Sequence, residues 1–323
     1  MSTIKNKKIF LAGHEGMVGR SLLNNLSAIN QNLVLASRKD LDLTNQSDVN
    51  KFFQTHQIDE VYIAAARVGG ILANSNFPAN FIYENLMIQN NLIHASHQNN
   101  INKLIFLGSS CIYPIKSIQP IKESSLLSGS LEETNRAYAV AKIAGIEMCK
   151  SYNTQYGRDY RCVMPTNLYG PFDNFNPQNS HVIPSLILKF HEAVKKNLKE
   201  VIIWGSGAPL REFMHVHDMG LACIHIMNLQ EEDYKQLILK NETHINIGTG
   251  VEITIKDLAL LIAKITSFKG NILFNEEYPD GASRKLLDSS LLNHSGFTCE
   301  YDLENGLRST YQWFIENIDN LRS

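Results

Sequence analysis

Three glycines at a fixed spacing, Gly13, Gly16 and Gly19, end an apolar run and begin a helical one. Lys8-Ile-Phe-Leu-Ala12 reads as a buried strand and Met17–Leu26 as an amphipathic helix. Between them the backbone must turn sharply and bring the helix back against the strand. Gly13 permits the turn, Gly16 lets a ligand approach the backbone, and Gly19 allows the helix to pack closely on the strand. This opening constrains the fold more than any other feature, because it belongs to chains that continue as alternating strands and helices.

The alternation does continue. Leu33–Ala36, Glu60–Ala64, Lys103–Leu107 and Arg161–Met164 read as buried strands; Ser47–Gln54, Pro78–Gln98 and Ala137–Tyr156 read as helices between them. Strand–helix–strand repetition implies an α/β fold, with a parallel sheet covered on both faces. After Gly170 the pattern loosens into the turn-rich Gly170-Pro-Phe-Asp-Asn-Phe-Asn-Pro177. A helix (His181–Lys195) and a strand (Val201–Trp204) follow, and Ile245-Asn-Ile-Gly with the Thr254–Thr266 helix looks like a return to the main domain. We therefore expect a doubly wound domain over residues 1–170, with returning segments about 212–266. Residues 171–323 are expected to supply a smaller, interleaved C-terminal lobe that includes Asp280 and the Arg284–Asp288 tail.

Composition narrows the function classes. The 323 residues carry 30 basic and 32 acidic side chains, a balance that predicts neither a nucleic-acid nor a membrane partner. Nothing approaches the roughly 20 apolar residues of a membrane span. Five scattered cysteines without a CxxC pair argue against a disulfide framework or structural zinc, and fit a reducing cytoplasm.

The glycine loop opens a helix whose first N–H groups have no partners within the helix, which suits a dinucleotide pyrophosphate. A carboxylate at the end of the second strand would bind the ribose 2′-hydroxyl of NAD, whereas an arginine accommodates the 2′-phosphate of NADP. Here the strand ends Ala36-Ser37-Arg38-Lys39, which points to NADP(H). Ser37 is a further candidate for that phosphate.

Tyr138 and Lys142 are four residues apart on one helical segment and share a face. A phenol with a pKa near 10 is a poor acid–base group at neutral pH; a neighbouring ammonium, with a positive oxidised nicotinamide, favours the phenolate and is expected to pull that pKa down. Ser109, at the end of the strand Lys103–Leu107, completes a group suited to hydride transfer at a carbonyl.

With those residues in this order, the chain resembles the extended, sugar-nucleotide branch of the short-chain dehydrogenase/reductase superfamily, whose fold is of the Rossmann type. Within that branch, the motifs Gly13-His-x-Gly-Met-Val-Gly19, Ala64-Ala-Ala-x-Val-Gly-Gly70, Gly108-Ser-Ser-Cys-Ile-Tyr-Pro114, Pro165-Thr-Asn-Leu-Tyr-Gly-Pro171 and Asn179-Ser-His-Val-Ile-Pro184 are similar to those of the GDP-L-fucose synthases. The resemblance implies epimerisation at C3 and C5 of GDP-4-dehydro-6-deoxy-D-mannose, then NADPH-dependent reduction at C4 to GDP-L-fucose. It implies that Cys111 and His181 carry the epimerisation, and that Ser109, Tyr138 and Lys142 carry the reduction. It also implies cofactor contacts from Gly13, Gly16, Met17, Val18, Gly19, Arg38, Leu41, Asp42, Leu107, Gly108, Lys142, Pro165, Asn167, Leu168 and His181. Lys189, Trp204, Arg211 and Asp280 are the implied GDP-sugar contacts.

Several features stand apart from that pattern. Glu15 occupies a loop position where the family carries a basic residue, and it opposes a 2′-phosphate. His215-Val-His217 has the spacing of two metal ligands, but no further ligand cluster accompanies it and no metal is expected. Apolar side chains on Phe81–Ile93 and Ala139–Met148 exceed what one core face requires, which suits either internal packing or a homodimer interface. The residues alone leave open another NAD(P)-dependent nucleotide-sugar epimerase or reductase, or a non-catalytic dinucleotide-binding regulator.

Overall fold

A computed structural model describes residues 6–177, 180–238, 242–278 and 280–321. Its main sheet is parallel, with β1 (Ile9–Ala12) flanked by β2 (Leu33–Val34) and β3 (Glu60–Ile63). Beyond β3 follow β4 (Lys103–Leu107) and β5 (Asp159–Pro165), while β6 (Asn167–Tyr169), β7 (Glu200–Trp204) and β8 (Leu210–His215) lie outside this sheet. The chain then returns as β9 (His244–Ile247), which pairs with β5 and gives the order β2-β1-β3-β4-β5-β9. This is the Rossmann-type doubly wound arrangement, with its topological switch between β1 and β3. The edge strand β2 stops at Val34, two residues before the expected Ala36. It has a neighbour on one side only, and Leu35 beyond it is 40% exposed.

The two faces are sorted by the period of two along each strand. Phe10 and Ala12 point to one core, where α2 (Gln46–Thr55), α4 (Pro78–Gln98) and α5 (Arg136–Tyr156) pack. Ile9 and Leu11 point to the other, which holds α1 (Met17–Ser27), α7 (Val216–Asn228), Tyr234 of α8 (Glu231–Leu237) and Leu292 of α10 (Ser290–His294). The short α3 (Ile71–Asn76) precedes α4, whose first residue is Pro78, where a missing N–H removes no helical bond.

A third core belongs to the smaller lobe and joins α6 (Val182–Lys195), α9 (Ile255–Thr266) and α11 (Leu303–Asn317). Here the structure departs from the expected boundary. The Thr254–Thr266 helix does not return to the parallel sheet: Leu258, Ala259, Ile262 and Ala263 of α9 are buried with Ile183, Leu186 and Phe190 of α6. Its apolar face suits any core, and the antiparallel pairing of β10 (Glu252–Thr254) with β8 delivers it to the lobe. The lobe also contains β11 (Asn271–Asn275), parallel to β7, and β12 (Arg284–Lys285), parallel to β8. β6 also pairs with β8, so the lobe's sheet begins directly where β5 ends.

Candidate active site

A cleft of about 810 Å³ runs along the carboxyl ends of the parallel strands. Its floor is the glycine loop. Gly13 has φ +86°, and a Cβ there would lie 2.7 Å from the Ala65 backbone; a Cβ on Gly19 would lie 1.9 Å from the Gly13 carbonyl oxygen. Only glycine leaves this space open. Gly16 occupies the N-cap position of α1, and no side chain caps that end. The first N–H groups of the helix therefore face the cleft, as a pyrophosphate requires. The residues present fit a dinucleotide.

One end of the cleft is lined by Arg38, Leu41, Asp42 and Glu84, and other parts of its wall by Leu107, Gly108, Pro165, Asn167, Leu168 and His181. With Gly13, Gly16, Met17, Val18, Gly19 and Lys142, every cofactor contact that the resemblance implies lines this one cleft. Asn167 is fixed by donating its amide to the Glu212 carbonyl over 2.8 Å. Ser37, by contrast, is committed elsewhere: its hydroxyl donates to Asp40 Oδ2 at 2.6 Å.

The reactive groups meet where β4 ends beside α5. Lys142 is 3% exposed and donates from Nζ to the Leu107 carbonyl at 2.8 Å, with its ammonium 4.7 Å from the Phe106 ring centre. Burial lowers its pKa to about 8. Tyr138 lies one turn earlier on α5, its ring centre 5.8 Å from Lys142 Nζ. Enclosure raises the phenol's pKa, Cys111 adds to the rise, and a hydrogen bond with Ser109 opposes it. Burial outweighs that bond, so Tyr138 rests as a phenol.

Cys111 follows in a short 3-10 turn after Ser109, which accepts a hydrogen bond from the Cys111 N–H at 3.4 Å. Burial raises the thiol's pKa, with the Lys285 cation opposing it, then Ser109 and Lys142. His181 sits at the N-cap of α6, and the crowding of the cleft walls lowers its pKa, so the imidazole rests neutral. Asn179, from the same expected motif, lies outside the described residues.

Lys285 is a cleft residue that sequence reasoning did not single out. It arrives on β12, directly opposite Arg211 of β8. The tail is strapped in place by Ile121, whose N–H donates to the Leu286 carbonyl at 2.8 Å and whose own carbonyl accepts from the Asp288 N–H at 2.8 Å. Buried Glu212 adds to this, accepting from the N–H groups of Gly250 at 2.7 Å and Leu287 at 3.2 Å. No local pattern around residue 285 announces this role; the position is set by long-range strand pairing.

The four expected sugar-nucleotide residues do not line the cleft itself. They gather beside it in the smaller lobe. Lys189 Nζ lies 5.2 Å from the Trp204 ring centre, and Trp204 stacks on Tyr278 at 4.5 Å with 12° between the planes. Asp280 accepts from the Ser206 N–H at 3.0 Å and from its hydroxyl at 2.6 Å; burial lowers the pKa of Arg211, and the Asp280 carboxylate opposes that fall. The register Lys285↔Arg211 links this group to the cleft. Of the His215/His217 pair, His215 caps α7, its Nδ1 accepting from the His217 N–H at 3.3 Å. Asp218 in the next turn accepts from the N–H groups of Glu300 at 2.9 Å and Tyr301 at 3.1 Å.

A doubly wound sheet with a glycine loop and a Ser–Tyr–Lys group at its carboxyl edge defines the extended short-chain dehydrogenase/reductase class. Residues 9–248 match the NAD dependent epimerase/dehydratase family, and the chain belongs to it. It is 54% identical to a GDP-L-fucose synthase of Escherichia coli (strain K12), over 99% of this chain and 100% of that relative. It is 50% identical to a putative GDP-L-fucose synthase 2 of Arabidopsis thaliana, over 97% of this chain and 93% of the relative. Among solved structures, MlghC, a GDP-mannoheptose C4 reductase from Campylobacter jejuni with NADP bound, is 39% identical and superposes with a TM-score of 0.87, covering 98% of this chain and 100% of that one.

Proposed function

We propose that the protein converts GDP-4-dehydro-6-deoxy-D-mannose to GDP-L-fucose, by epimerisation at C3 and C5 and then NADPH-dependent reduction at C4. The observation that carries this reading is the meeting of two chemistries at one place. The hydride-transfer group Ser109, Tyr138 and Lys142 shares its cleft with His181 and has Cys111 directly behind it. Full-length similarity to GDP-L-fucose synthases supports the same substrate.

The 4-ketone acidifies the C–H bonds at C3 and C5. Inversion at each needs a base on one face of the sugar and an acid on the other. At rest the thiol of Cys111 is a proton donor and the neutral imidazole of His181 a proton acceptor, so the pair supplies one of each. The enolate that forms at O4 meets a hydrogen bond from Ser109 and the cationic Lys142 and Lys285 nearby. When bound, NADPH supplies a hydride to C4. Tyr138, held as a phenol, gives its proton to O4, so the carbonyl gains hydrogen at both atoms and becomes an alcohol. Lys142 holds the nicotinamide ribose and stabilises the phenolate left behind.

In this reading the sheet domain holds NADPH through the glycine loop and Arg38, and the smaller lobe holds GDP through Lys189, Trp204, Arg211 and Asp280. The enzyme acts in the cytoplasm as a homodimer. Tyr83, 63% exposed on α4, and Val140, 38% exposed on α5, lie on the two long helices that would meet across the dimer axis.

Incubation with GDP-4-dehydro-6-deoxy-D-mannose and NADPH in deuterated water tests the reading. GDP-L-fucose carrying deuterium at both C3 and C5 is expected. Reduction without deuterium at either carbon would leave a plain 4-ketoreductase.

A further inference from the structure

In the cleft, the arginine that follows β2 lies next to a carboxylate of α4. Arg38 Nη2 lies 3.7 Å from Glu84 Oε2, and both side chains line the cleft. The other oxygen of Glu84 accepts a hydrogen bond from Arg67 Nη1, and Arg67 lines the cleft too. These three groups differ in how firmly they are held. The Arg67 N–H donates to Asn85 Oδ1 at 2.9 Å, Asn85 Nδ2 donates back to the Arg67 carbonyl at 3.0 Å, and the Arg67 guanidinium lies 5.3 Å from the Phe81 ring centre. The Glu84 side chain is 18% exposed, whereas that of Arg38 is 85% exposed and turns easily.

Resting on the reading of an NADPH site, we propose that Glu84 and Arg67 together set discrimination at the 2′ position of the cofactor ribose. Glu84 competes with a 2′-phosphate for Arg38 and repels that phosphate directly. Arg67 limits both effects by neutralising the Glu84 carboxylate. A 2′-hydroxyl, in contrast, donates to a carboxylate and is not repelled by it. Selectivity is the difference of the two affinities, so removing either partner moves it in a defined and opposite direction.

Calorimetric titration of the purified enzyme with NADPH, NADH and adenosine 2′,5′-bisphosphate tests this without turnover. Glu84→Gln is expected to tighten NADPH and the bisphosphate about five-fold, with NADH unchanged or weaker. Arg67→Met is expected to weaken NADPH and the bisphosphate by about the same factor while NADH stays within about two-fold. The double variant should behave like Glu84→Gln, because Arg67 acts through the carboxylate. Equal shifts for NADPH and NADH, or no change in their ratio in either single variant, would overturn the proposal. Failure of the cofactor reading itself is separable: the wild type would then bind NADH more tightly than NADPH, while the variants still report the sign of their effect on the ratio.

Discussion

Lys142 donates its buried ammonium to the carbonyl of Leu107 over 2.8 Å, tying the middle of α5 to the carboxyl end of β4. The bond adds to the core packing that sets the helix carrying Tyr138 against the strand end from which Ser109 and Cys111 follow.

The Lys142 ammonium is lost as pH rises through about 8, the value to which burial lowers it. The rate of C4 reduction at saturating substrate should therefore fall on the alkaline side of that point. Lys142→Met should lower kcat by at least about 100-fold and shift the melting temperature by less than about 4 °C, because the variant sheds a desolvated charge along with one hydrogen bond. A pH profile flat to the alkaline limit of protein stability would refute the assignment.

Cys111→Ser should abolish deuterium incorporation at C3 and C5 while the circular dichroism spectrum and NADPH affinity stay unchanged. The hydroxyl fits the space but gives up and takes back a proton far less readily than a thiol. Normal GDP-L-fucose formation by this variant would remove Cys111 from the epimerisation.

Gly19→Ala places a methyl 1.9 Å from the Gly13 carbonyl, a contact backbone cannot absorb without moving. NADPH binding, followed by quenching of tryptophan fluorescence, should be lost. The fold should be destabilised by about 1–3 kcal/mol, as for other overpacked sites.

Asp173 is 6% exposed, and its Oδ2 has no hydrogen-bond partner among the described residues. Burial raises its pKa to about 7 from an ordinary 3.8. Between those values the folded chain holds a proton the unfolded chain has released, so this residue's contribution to stability declines as pH rises across the window. Asp173→Asn removes that decline. Urea unfolding of both proteins at pH 4.5 and 7.5 should show the variant gaining on the wild type at the higher pH, by about 3 kcal/mol. An identical stability difference at both pH values would contradict the raised pKa.

The legible parts of this protein are those whose geometry is local. The glycine spacing at residues 13, 16 and 19, Pro78 at the start of α4, and Tyr138 one turn before Lys142 each constrain only a few adjacent dihedrals or one helical face. Their consequences could be read without knowing what packs around them. The illegible parts depend on partners far along the chain. The apolar face of α9 fits either core, and only the pairing of β10 with β8 sends it to the smaller lobe. Lys285 reaches the reactive groups because β12 aligns with β8, and Glu84 meets Arg38 across 46 residues of sequence.

By itself, the sequence determined a doubly wound sheet, a dinucleotide loop and the shared helical face of Tyr138 and Lys142, since short-range sterics and spacing suffice for these. The tertiary structure alone decided their protonation states. Tyr138 rests protonated and Lys142 is weakened as a base because burial outweighs the attraction between neighbours, and burial is a property of the assembled core.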